Sequence, residues 1–283
     1  MRSDSRLNMP AINLARLKIQ AARLSEKFME PDVFLHDLNE MLDLYTNRTI
    51  RISQEVRHSS VKTYHTPRPV LNQIESELAI KAEEHPSDAL TLVKALWRDN
   101  TLESCLLAAF LLGNLPIDMA FTTLTNLPGW LSQTKERTIR NALLTSALMR
   151  LRRERSEDFY NLLEDWLSSQ LPEYQVWGLQ ALIPLLQDPL FENLPTVFRI
   201  LYPAIQNADP LIQLDLQACL AAMEHVSLTE TVAYLREIIR NNPRPGIVRL
   251  FRRILPNLSP EMQEALRASL REKDKKAATG IPG

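Results

Sequence analysis

Arginines are concentrated on a few predicted helices, and they are the residues of this sequence best suited to bind an anionic ligand. A guanidinium group holds a phosphate or a carboxylate through two parallel hydrogen bonds. Two interpretations are open: a partly basic binding groove, or a solvated surface with ion pairs to Glu136, Glu154, Glu157 and Asp158. The arginines concerned are Arg137 and Arg140, then Arg150, Arg152, Arg153 and Arg155, and then Arg249, Arg252 and Arg253.

Two of the four tryptophans are candidates for the same binding surface. Trp97 and Trp166 lie on regular apolar stripes of predicted helices, so we expect them in the core. Trp130 follows a Pro-Gly pair in a predicted loop, and Trp177 lies on a repeated helix. Both are candidates for exposed aromatic platforms. Asp215 is a lone acid in an apolar stretch and is either a groove acid or the partner of an arginine. We favour the pairing, because an isolated buried carboxylate is costly.

No sequence motif of a known catalytic or metal site is present. The chain has no glycine-rich phosphate loop, no HExxH and no CxxC, and its five histidines are scattered. We therefore predict no metal site and no cofactor.

The predicted helices that carry Trp177 and most of the candidate arginines recur every 35 to 38 residues along the sequence. Apolar columns four residues apart mark one face of a helix, and a period of this length is typical of stacked helical pairs. The third position of the register is polar in four repeats (Ser104, Arg140, Gln175, Gln213) and is interrupted by Val248, which predicts an inner, ligand-facing surface. The aligned segments are LESCLLAAFLL from Leu102, TIRNALLTSAL from Thr138, EYQVWGLQALI from Glu173, LIQLDLQACLA from Leu211 and GIVRLFRRILP from Gly246.

The pattern predicts an all-α fold, a right-handed α-α superhelix of HEAT-like repeats. We divide the chain into an N-terminal helical extension (1–46), a polar linker (47–66), the repeat array (67–272) and a flexible tail (273–283). Prolines are expected in the first turns of helices, where a missing N–H costs nothing. The helices of the array are predicted at 69–83, 86–97, 101–113, 116–127, 134–151, 156–170, 172–187, 191–207, 210–224, 228–241, 245–256 and 259–272.

Composition limits the class of protein further. The net charge is −1, so a strong overall attraction to nucleic acid is absent, although a local basic stripe is possible. No apolar run is long enough to span a membrane. The two cysteines, Cys105 and Cys219, are expected to be buried free thiols in a reducing compartment. We expect a cytoplasmic monomer.

Residues 64–113 and 165–185 resemble the HEAT-like repeat DNA glycosylases of the alkylpurine (AlkD-like, DNA alkylation repair) type. The similar segments are YHTPRPVLNQI, LVKALWRDNTLESCLLAAFLLGN, with Leu96-Trp97, Glu103 and Ala108-Ala109 in place, and DWLSSQLPEYQVWGLQALIPL, with Trp166, Ser168 and Gln175 in place. The resemblance extends over about 67–256.

The resemblance implies a concave face that holds duplex DNA and a catalytic aspartate preceded by tryptophans. In the corresponding stretch, 129–140, Trp130 can stand for one tryptophan, but no aspartate follows and Glu136 is the only acid. The second tryptophan would fall near Cys219, which is not aromatic. Glycosylase chemistry needs an acid beside the developing positive charge, so Glu136 is a weak candidate.

Two functional hypotheses follow. The first is a non-enzymatic scaffold that binds a macromolecular partner through its concave face. The alternative is a DNA-binding or DNA-repair protein of the alkylpurine glycosylase type. In both, the partner is a protein or duplex DNA, and the concave-face residues are predicted to be Trp130, Arg137, Arg140, Trp177, Asp215, Arg249, Arg252 and Arg253.

Overall fold

A computed structural model describes residues 13–46, 61–207, 209–241 and 245–279 of the chain. These residues form helices joined by short links, and the only extended pairing among them is an isolated parallel bridge between Lys62 and Thr101. The predicted all-α repeat fold is confirmed. No helix in the described part of the chain is long and apolar enough to cross a membrane.

The chain divides into two compact units, Met1–Arg155 and Ser156–Gly283, which we describe one at a time. The helices of the first unit are α1 (Leu14–Ser25), α2 (Pro31–Leu44), α3 (Arg68–Glu84), α4 (Pro86–Asp99), α5 (Leu102–Asn114), α6 (Ala120–Gln133), α7 (Arg137–Thr145) and α8 (Met149–Glu154). Those of the second are α9 (Ser156–Ser168), α10 (Pro172–Leu186), α11 (Leu194–Asn207), α12 (Gln213–Val226), α13 (Leu228–Asn241), α14 (Pro245–Ile254) and α15 (Pro260–Thr279).

In both units most helices pack on the helix two places further along the chain. In the first unit α1 packs on α3, α2 on α4, α3 on α5 and α5 on α7. In the second unit α9 packs on α11, α10 on α12 and α13 on α15. This alternation is the packing of stacked helical pairs, and α1 and α2 take part in it, so the N-terminal hairpin continues the array. Residues 47–60 of the predicted linker lie outside the described residues.

The core is deepest at α5 and α10, which are covered on nearly all sides. Leu107, Ala108 and Leu111 of α5 are fully buried, and so are Leu179 and Leu182 of α10. A helix that is apolar all round belongs in a core, whereas α14 has one apolar and one charged face.

Both cysteines are buried free thiols, as predicted. Burial raises the pKa of Cys105 to about 12 and that of Cys219 to about 12 as well. The thiolate is the reactive form of cysteine, and burial disfavours it at both positions.

Several boundaries differ from the prediction because tertiary packing overrides local signals. The Pro128-Gly129 pair was expected in a loop, but α6 continues through it to Gln133, since Leu127 and Leu131 are buried on either side. The predicted helix 134–151 is two helices, α7 and α8, separated by a turn at 146–148. The last helix, α15, extends to Thr279, into the stretch predicted to be a flexible tail.

Gly113 explains how the turn between α7 and α8 fits against α5. A Cβ atom at Gly113 would lie 1.8 Å from the backbone oxygen of Ser146, far inside van der Waals contact. Because the obstacle is backbone, it cannot rotate away, and only a residue without a side chain allows the two segments to touch.

We predict that Gly113→Ala lowers the free energy of unfolding by about 2–3 kcal/mol, as overpacked sites do. Chemical denaturation measures the change. Gly129→Ala is the matched control, because a Cβ there meets nothing within 4 Å; it should be neutral or stabilise by about 0.5–1 kcal/mol through helix propensity. Equal midpoints for the two variants would contradict the close approach of α5 to the turn.

Candidate nucleic-acid interface

Two tryptophans of the first unit form a stacked pair at its surface. The rings of Trp97 on α4 and Trp130 on α6 have centroids 4.6 Å apart and planes inclined by 15°. Both side chains are half-buried. Trp97 was expected in the core, and this was wrong: it is half-buried near the end of α4, with the ring of Trp130 stacked on it. Each of the two tryptophans therefore keeps part of its surface exposed.

The chain leads from Trp130 directly to two of the predicted arginines. The amide of Thr134 donates to the carbonyl oxygen of Trp130 at 3.1 Å and ends α6. Arg137 is the first residue of α7 and is exposed. Arg140 lies one turn later, half-buried, with its Nη2 donating to the carbonyl oxygen of Thr134 at 3.4 Å. Glu136 is the N-cap of α7. A helix N-terminus carries partial positive charge, which adds to the two guanidinium groups.

The exposed arginines of α14 form a second basic surface, in the second unit. Arg249, Arg252 and Arg253 are exposed, while Leu250 and Phe251 between them are buried. Their spacing of three and four residues places all three on one face of the helix. We call this face the α14 arginine face.

The arginines of α8 are largely held by protein groups. Arg150 forms an ion pair with Glu154 at 2.7 Å, and its Nη1 donates to the carbonyl oxygen of Asn114 at 3.0 Å. Arg155, directly after the helix, lies 3.9 Å from Asp118. These contacts fit the interpretation of α8 as a solvated, ion-paired surface.

The polar third position of the repeat register is structural at two of its positions. Gln175 is only 1% exposed, and its Nε2 donates to the carbonyl oxygen of Ser169, in the link before α10, at 2.6 Å. Ser104 is fully buried and donates to the carboxylate at the end of α4. Arg140 makes the same kind of contact, to the carbonyl oxygen of Thr134 in the link before α7. The prediction of a ligand-facing stripe is therefore wrong for Ser104 and Gln175, because these side chains tie each helix to the link before it.

Two further candidates differ from their prediction. Trp177 is only 3% exposed and packs against Trp166 and Tyr174, with centroids 6.0 and 4.7 Å away. It is a core residue, so the expectation of an exposed platform was wrong for it. Asp215 is half-buried and accepts a hydrogen bond from Nε2 of Gln180 at 2.7 Å. Its partner is an amide and not the predicted arginine.

The buried carboxylate of Glu103 positions the segment that precedes α3. In the sequence, Glu103 stood out only as part of the family resemblance. Glu103 is 2% exposed. It accepts hydrogen bonds from the amides of Tyr64 and Thr66 at 3.1 and 3.2 Å and from Oγ1 of Thr63 at 3.1 Å. A buried charge is tolerated when donors surround it in this way. An acid in the first turn of an apolar helix is the sequence signal that could have indicated such a role.

An ion pair joins the start of α3 to its middle. Arg68 lies 3.0 Å from Glu75, whose pKa is raised by burial and lowered again in part by the arginine. One group of potential metal ligands occurs among the described residues, His36, Asp37 and Glu40 on α2. His36 and Glu40 are exposed and 3.4 Å apart, which is an ordinary pairing one turn apart on a solvated helix.

The fold and these surfaces define a class: an all-α helical repeat protein with aromatic and arginine side chains on its surface. Residues 39–248 match the family described as DNA alkylation repair enzyme. The match covers well over half of the chain, and the chain belongs to that family. The resemblance found in the sequence is confirmed. Comparison with curated proteins and comparison with solved structures each gave no match.

We predict that Glu103→Gln lowers the free energy of unfolding by about 1–3 kcal/mol. The amide nitrogen of glutamine is a donor and would face the Tyr64 amide, which leaves a buried donor unpaired. Chemical denaturation of the full chain measures the decrease. Glu83→Gln, an exposed position of the same unit, is the control and should leave the midpoint unchanged. If both variants unfold like the wild type, Glu103 does not anchor the 63–66 segment.

Proposed function

We propose that the protein binds duplex DNA in the repair of alkylation damage. Family membership supports the DNA-repair hypothesis better than the non-enzymatic scaffold. The observation that carries the proposal is the half-buried pair of Trp97 and Trp130, followed by two arginines in the first turn of α7. Aromatic faces stack on bases that leave the helix, and guanidinium groups bind phosphates. The end of the first unit offers both kinds of contact within a short stretch of chain.

The distribution of charge supports the same choice of surface. Residues 101–155 contain Lys135 and six arginines but only four acidic residues. Residues 156–241 contain twelve acidic residues and only three arginines, Arg199, Arg236 and Arg240. Duplex DNA carries one negative charge for about every 1.7 Å of its axis. Phosphate contacts are therefore favoured at α7 and at the α14 arginine face. They are disfavoured in residues 156–241, which lie between these two helices in the sequence.

Excision of an alkylated base is the second candidate function. Breaking a glycosidic bond develops positive charge on the sugar, and a carboxylate placed beside that charge lowers the barrier. Glu136 is the only acid between residues 129 and 140. It lies six residues after Trp130, at the start of α7, and is half-buried. It is the residue of this surface that could supply the negative charge. We propose binding as the main function and a low rate of excision through Glu136.

We predict that duplex DNA binding weakens steeply with salt and that arginine removal makes this dependence shallower. Each phosphate contact contributes about −0.9 to the slope of log affinity against log salt. Arg137→Ala with Arg249→Ala should make the slope shallower by roughly one unit for each phosphate that is no longer bound. Both arginines are exposed, so the double variant should fold normally. A salt titration followed by fluorescence anisotropy of labelled duplex gives the slopes.

Arg199→Ala is the matched control for that titration. Arg199 is an exposed arginine that pairs with Glu164 at 2.7 Å inside the acidic stretch. Its removal should leave the slope as in the wild type. Absence of any binding at low salt would disprove the DNA-binding proposal. Binding with unchanged slopes in the double variant would show that other residues contact the phosphates.

We predict feeble release of methylated purines from alkylated duplex DNA, and its disappearance in Glu136→Gln. Glutamine keeps the size of the side chain and removes the charge, so DNA affinity should be unchanged or slightly higher. Chromatography of released bases measures excision, and anisotropy with the same duplex measures affinity. Robust release that survives in Glu136→Gln would remove Glu136 from the reaction, while no release from the wild type would leave binding as the function.

A further inference from the structure

One face of α12 exposes an apolar stripe to solvent. Leu211, in the turn before the helix, is 72% exposed, and Leu214 in its first turn is 78% exposed. Ala218 and Ala221 follow at intervals of four and three residues and are exposed as well. This spacing places all four on the same side. We call these residues the α12 stripe. Large leucines this exposed in a row along a helix mark an interaction surface.

A preformed groove lies beside the stripe. Its cavity has a volume of about 680 Å³ and is bounded by the end of α10, the loop after it and the second half of α12. Leu190 lies between two lining residues, Pro189 and Phe191, and is 88% exposed at the rim. The hydrogen bond from Gln180 to Asp215 joins α10 to α12 one turn before the groove. The main lining residues are Ile183, Leu186, Pro189, Phe191, Ala218 and Ala222.

Three carboxylates flank this apolar surface. Asp188 and Asp209 each accept one hydrogen bond from a nearby backbone amide, that of Leu190 at 3.0 Å and that of Leu211 at 2.7 Å. Asp215 accepts its bond from the neutral side-chain amide of Gln180. No residue in the described part of the chain forms an ion pair with any of the three. They belong to the stretch 156–241, with its twelve acids and three arginines.

The negative charge of the three carboxylates favours a cationic partner. The flanking carboxylates would repel the phosphates of DNA, since like charges at close range weaken association. A cationic partner gains attraction from the flanking carboxylates, and an apolar side of that partner covers the exposed leucines. Alanines at the centre of the groove let large side chains of the partner come close to the helix. An amphipathic helix satisfies these conditions through one face.

We propose that the α12 stripe and its groove bind an amphipathic helix of another protein, with leucine-like residues on one face and lysine or arginine beside them. This site lies in the second unit and does not depend on the proposed DNA-binding function. It would allow the protein to be held by a partner while the arginine surfaces are left for DNA.

The experiment uses the full chain and a synthetic peptide of about 18 residues, long enough to form a helix, with leucines on one face and lysines on the other. Fluorescence anisotropy measures its affinity. A peptide with the same leucines and glutamate in place of lysine tests the charge. The variant Leu211→Ser with Leu214→Ser removes the apolar contact. Leu171→Ser, at an exposed leucine elsewhere in the second unit, is its control.

The expected result is binding of the lysine peptide, at least tenfold weaker binding to the double leucine variant, and no change with Leu171→Ser. A factor of ten corresponds to about 1.4 kcal/mol. The glutamate peptide should not bind. Replacement of Asp188, Asp209 and Asp215 by asparagine keeps their acceptor oxygens and should weaken binding at low salt. Replacement of the exposed Glu157, Glu230 and Glu237 by glutamine should not.

Three results would overturn the proposal. Equal affinity of the peptide for wild type and double leucine variant would show that it binds another acidic surface, and no binding at all would leave the groove without this partner. The third is self-association: a dimer of the wild type in light scattering that dissociates in the double leucine variant would assign the α12 stripe to a second copy of the chain. Unchanged thermal unfolding of each variant confirms that the fold is intact.

Discussion

Within each of the two units, most helices depend on the helix two places along the chain to cover part of their apolar face. A single helical pair buries too little surface to be stable, so the fold exists only as an array. The most enclosed helices, α5 and α10, are apolar on nearly every side because neighbours surround them. Such close packing leaves little tolerance at contact points. Gly113 illustrates this, since the turn at Ser146 occupies the space where any side chain would lie.

Polar side chains act within this packing by fixing the links between helices. Gln175 and Arg140 hydrogen-bond to the carbonyl of the residue six places earlier, and Ser104 bonds the end of α4. Glu103 does the same for the 63–66 segment through several donors at once. Buried polar groups need partners, and the exposed carbonyls of links need donors. At Ser104 and Gln175 one buried polar side chain bonds to the end of the preceding helix or to the link after it, so the register position is polar there without facing a ligand.

The sequence was sufficient for the fold class and for most helices, because a period near 36 residues and apolar columns are long-range signals that packing alone produces. It was insufficient where a single tertiary contact determines whether a side chain is buried. Trp97, predicted to be core, is only half-buried in its stack with Trp130. Trp166 and Tyr174 bury Trp177, which was predicted to be exposed. Burial of a tryptophan at the end of a stripe depends on what the next repeat places over it. Local pattern does not contain that information.

The net charge of −1 conceals a separation of charge along the chain, and this separation organises the surface. If acidic and basic residues were evenly mixed, no surface would attract DNA or a cationic partner more strongly than another. Here α7, α8 and α14 carry more basic than acidic residues, whereas the stretch from α9 to α13 has twelve acidic residues and only three arginines. Some of the α8 arginines bond to protein groups, whereas Arg137 of α7 and the α14 arginine face are exposed. The apolar α12 stripe lies in the acidic stretch, where a phosphate backbone is repelled and a basic helix is attracted. The separation of charge therefore favours an anionic partner and a cationic partner at different surfaces of the chain.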